Sequence, residues 1–140
     1  MKLSLIVCFL LVMLLSCGQV QWNQSSDWTI YQSQADDIFK VPLESVNSLD
    51  SLQLNKDTLE SYLLSLELIH PKAPVAWMGG YIATCKIGSI RRKIELSNYG
   101  GFFYDEKTNA FYRVSKDKID SWVDYLQSSY LTLLKRKNNR

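Results

Sequence analysis

Residues that commonly carry catalysis and metal binding are scarce in this chain. Its 140 residues include one histidine, His70, and three cysteines, Cys8, Cys17 and Cys85. No two of them have the short spacing of a structural zinc site. A thiol–imidazole pair of Cys85 with His70 would lack a second base to fix the imidazole. The sequence therefore predicts no metal site, no cofactor and no enzyme.

An excess of charge of one sign is also absent. The chain has 16 Lys and Arg residues against 14 Asp and Glu residues, and its formal net charge is +2. Basic residues cluster only at 91–93 and 135–137. Binding to nucleic acid requires a basic stripe or face, which this distribution does not provide. We therefore expect no nucleic-acid partner.

A hydrophobic run long enough to span a membrane is missing as well. The apolar run 3–15 is shorter than the roughly 20 residues that a transmembrane helix needs. It follows Lys2, and it leads into small residues around a cysteine, which is the order of a secretory signal. The stretch from Leu14 to Gly18, Leu-Leu-Ser-Cys-Gly, resembles the lipobox of bacterial lipoproteins.

That resemblance implies cleavage before Cys17 and attachment of lipid, such as palmitate, to this cysteine. Residues 1–16 would be the signal peptide, and residues 17–27, rich in Gln, Asn and Ser, would form a flexible lipidated tether. Gly18 after the cysteine resembles lipoproteins that are sent to an outer membrane. We therefore expect a protein anchored by lipid in the bacterial cell envelope, on the outer membrane or facing the periplasm.

Two alternatives remain for the residues near this anchor. Cys85 would be the only cysteine left in the folded part, whereas a plain secreted chain would pair Cys17 with Cys85. Trp22 is the only large apolar side chain of the tether. It either enters the lipid interface or docks on the domain, and docking is slightly favoured.

Residues 28–140 have the length of one globular domain. We expect an α+β fold with two layers, in which an antiparallel meander of about four strands packs against two helices. Apolar residues at helical spacing predict a first helix from about Asp57, its N-cap, to Ile69. They predict a second helix that Ser115 caps and that runs to about Lys135.

Alternation of apolar and polar residues predicts the sheet. Strands over 81–87 and 90–96, joined by a turn at Gly88-Ser89, are followed by strands near 102–104 and 110–114. The polar segment 105–109 between the last two is predicted to be a solvated turn. Residues 28–31 could add an edge strand, and 36–54 is predicted to be loop with short helical turns.

The second strand of this hairpin carries charges at alternate positions. Arg91, Lys93 and Glu95 are expected on its solvated face, where basic residues could meet an acidic partner or anionic lipid. Arg92 has the parity of the apolar residues. It therefore needs either a position at the strand end or a carboxylate partner.

Two stretches, 77–81 and 98–102, have aromatic residues around a glycine pair. As loops at one sheet edge they would form a recognition surface, since Trp and Tyr provide large rigid contact areas. The alternative is structural: glycine supplies positive φ for turns, and the aromatic rings pack on the core. The hypothetical binding residues are Trp77, Tyr81, Arg91, Lys93, Asn98, Tyr99, Phe102 and Tyr104.

The leading functional hypothesis is binding to another macromolecule. An inhibitor, an immunity-type protein or an accessory subunit of an envelope complex would fit the size, with a protein partner in the envelope. The alternative is a carrier with an aromatic-lined pocket between sheet and helices. An enzyme that uses the Cys85 thiol is the least favoured hypothesis.

Overall fold

The computed structural model describes residues 20–32, 41–70 and 80–139. The predicted signal peptide, Cys17 and Trp77 lie outside the described residues. The strands are β1 (Ser25–Tyr31), β2 (Ser51–Gln53), β3 (Glu67–Ile69), β4 (Gly80–Ile87), β5 (Ile90–Ser97), β6 (Phe102–Asp105) and β7 (Ala110–Arg113). The α-helices are α1 (Lys56–Leu63) and α2 (Ile119–Asn138), and short 3₁₀ turns cover Trp22–Gln24, Leu43–Ser48 and Lys116–Lys118.

All seven strands form one antiparallel sheet in the order β2-β1-β4-β5-β6-β7-β3. The predicted mixed α and β class is confirmed, and β4 to β7 form the expected meander. The predicted number of about four strands is wrong. β2 and β3 have three residues each, which is too short to show a period of two.

β1 is an inner strand and not the expected edge strand, because it pairs with both β2 and β4. Its partner β2 lies in the segment 36–54 that was predicted to be loop with helical turns. The 3₁₀ turn at Leu43–Ser48 agrees with that prediction, whereas the strand at Ser51–Gln53 does not. The two edges of the sheet are therefore made by its two shortest described strands.

The first helix is shorter than the apolar spacing predicts. Asn55, and not Asp57, is the N-cap, and its side chain accepts a hydrogen bond from the Thr58 N–H at 3.1 Å. The helix ends at Leu63, and Glu67–Ile69 then pairs with β7 instead of extending it. Pairing with a neighbouring strand thus overrides a helical pattern that continues to Ile69 in the sequence.

The second helix is confirmed, and it continues beyond Lys135 to Asn138. Ser115 is the N-cap of the 3₁₀ turn that leads into this helix, but it makes no side-chain capping bond, and the N-cap of α2 itself is Lys118. Trp122, Leu126 and Leu133 are its buried residues. In the described part of the chain, no helix is both long and apolar enough to cross a membrane.

The sheet packs on both of its sides. On the side that we call the helix side, residues of both helices join strand residues in the main hydrophobic cluster. Trp122 is central to it and stacks on Phe103 at 4.9 Å between ring centroids. On the opposite side, which we call the outer side, Tyr31, Val46 and Ile82 form a smaller buried cluster.

Residues 20–27 do not behave as the flexible tether that their composition predicts. Trp22 is 3% exposed, and its ring meets the Tyr112 ring edge-on, with 5.1 Å between the ring centroids. The Ser25 hydroxyl donates to the Trp22 carbonyl at 2.5 Å and accepts a hydrogen bond from the Trp28 indole at 2.7 Å. One buried tryptophan thus brings the start of the domain forward to about Trp22, and the favoured docking of this residue is confirmed.

Two glycines with positive φ offer a matched test of this packing. A methyl group on Gly101 (φ +70°) would lie 2.5 Å from Val114 Cγ2, whereas one on Gly88 (φ +61°) would meet nothing within 4 Å. We expect Gly88→Ala to lower the free energy of unfolding by about 1 kcal/mol, from backbone strain alone. Gly101→Ala should lower it by more than about 2 kcal/mol, because steric overlap adds to the strain. Urea unfolding followed by tryptophan fluorescence measures the free energy of unfolding of both variants. Equal losses of stability in the two variants would contradict this packing.

Candidate functional site

The outer side of β5 carries charged residues that are buried. Lys93 is 3% exposed and Glu95 is 2% exposed, so the expectation of a solvated strand face is wrong. Glu95 pairs across the sheet with Ile82, which belongs to the outer hydrophobic cluster together with Val46. Apolar neighbours therefore displace water from a strand face whose sequence is typical of an exposed one.

Lys93 joins two carboxylates. Its Nζ lies 3.3 Å from Glu95 Oε1 and 3.1 Å from Glu106 Oε2, and the Glu106 side chain is half exposed. Glu95 Oε2 is buried without a hydrogen-bond partner among the described residues. Burial raises the pKa of Glu95 to about 7, against the lowering effect of Lys93. Near neutral pH this carboxyl therefore exchanges between its neutral and charged forms.

Arg91 is held in place by hydroxyl groups. Its Nη2 donates to Tyr31 Oη at 2.9 Å and to Thr84 Oγ1 at 3.5 Å, and these two oxygens lie 3.1 Å apart. Within residues 20–32, 41–70 and 80–139, Arg91 has no carboxylate partner. A positioned guanidinium whose charge is not neutralised there is suited to a carboxylate or phosphate group.

A surface cleft of about 270 Å³ opens beside these residues. Its lining residues are Leu43, Arg91, Arg92, Lys93, Glu106 and Lys107. Two of its four cations are paired with carboxylates, Arg92 with Asp105 and Lys93 with Glu95 and Glu106, so Arg91 and Lys107 are the cations without a carboxylate partner among the described residues. We call Arg91, Lys93, Glu95, Glu106 and Lys107 the charged cluster, and its cleft favours an acidic group.

Asp105 fixes the turn that presents Glu106 and Lys107. Arg92 Nη1 lies 2.5 Å from Asp105 Oδ2, so a carboxylate partner explains the parity of Arg92. Asp105 is fully buried and also accepts hydrogen bonds from the Lys107 N–H and the Thr108 hydroxyl. The turn at 106–109 is confirmed, whereas the expectation that Asp105 is solvated is wrong.

Aromatic residues continue the outer side next to the charged cluster. Tyr104 pairs across the sheet with Glu95 and, on its other side, with Phe111, whose ring centroid is 4.8 Å away. Arg113 lies over the Phe102 ring at 5.1 Å. Aromatic residues and arginine are enriched where proteins bind each other. We call Phe102, Tyr104 and Phe111 the aromatic strip.

The structure divides the hypothetical binding residues between the two sides of the sheet. Arg91, Lys93, Phe102 and Tyr104 share the outer side. Tyr81 belongs to the helix side, where its ring lies 5.0 Å from that of Tyr130, and Trp77 lies outside the described residues. Tyr81 of the first glycine stretch and Phe102 of the second therefore lie on opposite sides of the sheet.

The second glycine stretch is a turn whose geometry favours the structural interpretation. Gly100 and Gly101 have φ of +72° and +70°. The Ser97 hydroxyl accepts a hydrogen bond from the Phe102 N–H at 3.0 Å and donates to the Tyr99 carbonyl. Asn98 and Tyr99 lie within this turn. Glycine here serves the chain reversal that places Phe102 on the outer side.

Cys85 does not have the surroundings of a nucleophile. It is a free thiol in the part of the chain that the structure describes and is 1% exposed, whereas Cys17, its alternative disulfide partner, lies outside the described residues. Burial, together with the charge of Asp105, raises its pKa to about 12. The thiolate that nucleophilic attack requires is therefore disfavoured near neutral pH.

The space between sheet and helices is filled by rings where the carrier hypothesis requires a pocket. The ring centroid of Trp122 lies 4.9 Å from that of Phe103 and 5.0 Å from that of Tyr62, and the ring centroids of Trp28 and Phe103 are 6.2 Å apart. Trp122, Phe103 and Trp28 are all nearly or fully buried. This packing disfavours a ligand between the layers.

Comparison of the chain with models of protein families, with curated proteins and with solved structures found no match. Among the described residues, no group of three or more His, Cys, Asp or Glu side chains could hold a metal ion. Three residues of the charged cluster were not predicted as binding residues from the sequence, because only the fold brings them close to Lys93 and Arg91. They are Glu95, Glu106 and Lys107.

The titration of Glu95 predicts how stability depends on pH. Folding raises its pKa from 4.5 to about 7, so the folded protein binds more protons than the unfolded one in that interval. Stability contributed by this group is therefore present at low pH and is lost as the pH rises to about 7, by at most about 3 kcal/mol in total. In Glu95→Gln this loss should be absent. The half-exposed Glu106→Gln, the control, should retain most of it.

Urea unfolding at about pH 5 and about pH 8, followed by tryptophan fluorescence, gives the free energy of unfolding of each variant and of the parent chain at both pH values. Equal pH dependence in the Glu95→Gln variant and the parent chain would contradict the assignment of this proton to Glu95.

Proposed function

We propose that this chain is a lipid-anchored protein of the bacterial cell envelope that acts by binding an acidic segment of a partner protein. The observation that carries the binding part is Arg91, which lines the cleft and whose guanidinium is positioned by two hydroxyls. Arg91 and Lys107 are the two cations of this cleft that have no carboxylate partner among the described residues. The envelope part is supported by the lipobox-like stretch that ends at Cys17 and Gly18.

The aromatic strip supports a protein partner over a small ion. Tyr104 and Phe111 offer apolar area next to the cleft, and Arg113 adds a further exposed cation beside Phe102. Protein interfaces combine such aromatic and arginine anchors with a polar rim. An acidic segment bound across β5 to β7 would reach Arg91 and Lys107 at one end and the aromatic strip at the other.

Photocrosslinking in the native cell tests the binding part. A benzophenone amino acid in place of Tyr104 should form a covalent adduct with one partner protein, and the same group in place of Leu131 on α2 should not. Lys107→Glu and Arg91→Gln should each reduce the yield about tenfold or more, because each removes a cation from the cleft. Lys116→Glu, a charge reversal outside the cleft, should leave the yield unchanged.

An adduct yield at position 104 no higher than at 131, or one that survives both substitutions in the cleft, would contradict the proposed partner. Adducts with lipid and none with protein would show that the outer side meets anionic headgroups instead.

Intact mass of the protein from its native membrane tests the anchor. The mature chain should begin at Cys17 and carry fatty acyl groups there. A chain that retains residues 1–16, or that begins elsewhere without an acyl group, would contradict the envelope assignment.

A further inference from the structure

The chain enters the described domain beside exposed leucines. Val20 to Asn23, together with Leu63, Leu64 and Leu66, line a groove of about 320 Å³. Leu64 is 63% exposed, which is the largest value among the exposed large apolar side chains of the described residues. Leu68, on the edge strand β3, is 42% exposed. We call Leu64 and Leu68 the leucine patch.

The leucine patch and the entry point belong to one part of the molecule. Trp22 contacts the Tyr112 ring, and Leu68 is the register partner of Tyr112 across β3 and β7. Leu64 follows α1 directly and lines the same groove as Val20 and Trp22. The buried Trp22 thus fixes the end of the chain that leads to Cys17 next to both leucines.

The number of residues between Cys17 and this groove limits their separation. Cys17 precedes Val20 by three residues, which span at most about 11 Å when fully extended. An acylated cysteine lies at the boundary between the hydrocarbon and the headgroups, a region only several Å thick on each side of the bilayer. A domain that begins at Trp22 is therefore held against the membrane, whereas an 11-residue tether would have allowed it to move away.

From this geometry we infer that the leucine patch docks on the surface of the bilayer that holds the acylated Cys17. The inference rests on the proposed lipid anchor and adds to it the orientation of the domain. Two partly exposed leucines bind a bilayer weakly by themselves, but the anchor keeps them at a high effective concentration beside it. Charges of both signs lie near the patch, since Glu67 is the register partner of Arg113 and the Lys118 ammonium donates to the Ser61 carbonyl, so a zwitterionic lipid surface is the suitable probe.

Quenching of a site-specific fluorophore by spin-labelled lipid tests the inference. The acylated full-length mature chain is placed in phosphatidylcholine vesicles that contain doxyl lipid, with a bimane label on Leu64→Cys or Leu68→Cys. The native Cys85 is buried, and its thiol does not compete for the label. Leu131→Cys is the matched control, because Leu131 is 48% exposed on α2 but lies near the opposite edge of the sheet. Its neighbour Leu133 lines a cleft there together with Ser51 of β2.

We expect quenching at 64 and 68 to exceed that at 131 by about threefold or more, as for side chains that enter the interface. Leu64→Glu should reduce the quenching at 68, and Leu131→Glu should not. Equal quenching at 64, 68 and 131 in an acylated protein would overturn the inference and leave the anchor intact. Absence of the acyl group from the mature mass would overturn both.

Discussion

The burial of a lysine and a glutamate on one face of β5 is the constraint on which the rest of the outer side depends. Lys93 and Glu95 lie two residues apart, each nearly without exposed surface, and Lys93 also reaches Glu106. Buried charges require paired and hydrogen-bonded partners, and here Glu95 Oε2 and Lys93 Nζ lack a hydrogen bond among the described residues, although Lys93 Nζ lies within ion-pair distance of both carboxylates. The central strand thus combines an apolar face with a charged face that is only partly satisfied.

That constraint links the fold to the proposed binding surface. The hairpin turn after β6 brings Glu106 to Lys93, and Asp105 fixes this turn through Arg92. The same turn places Lys107 at the cleft beside Arg91. Ion pairs therefore fix the turn that carries Lys107, and two hydroxyls hold Arg91, which together reduce the conformational freedom lost on binding.

Local patterns in the sequence were sufficient for part of this structure. The alternation over 81–96 predicted β4 and β5, and the apolar spacing after residue 118 predicted α2. The three-residue strands β2 and β3 carry no period of their own, and pairing with β1 and β7 defines them. For the site, Arg91, Lys93 and Tyr104 were predicted as candidates, but the alternation at Lys93 and Glu95 indicated solvent.

The misassigned exposure has a physical origin. Whether a charged strand face is wet depends on residues distant in sequence, here Tyr31, Val46 and Ile82 on other segments. The same limit applies to residues 20–27, where a polar composition indicated a tether but Trp22 found a site against Tyr112. In both places a long-range contact overrides what the local composition favours.

The most direct measurement of this account is the titration of Glu95 itself, followed by the chemical shift of its side-chain carboxyl carbon in the folded domain. A buried carboxyl with apolar neighbours and an incompletely satisfied ion pair should titrate near pH 7. A midpoint near the ordinary value of 4.5 would contradict the account, because it would mean that water or a fully formed ion pair with Lys93 offsets the burial of this carboxylate.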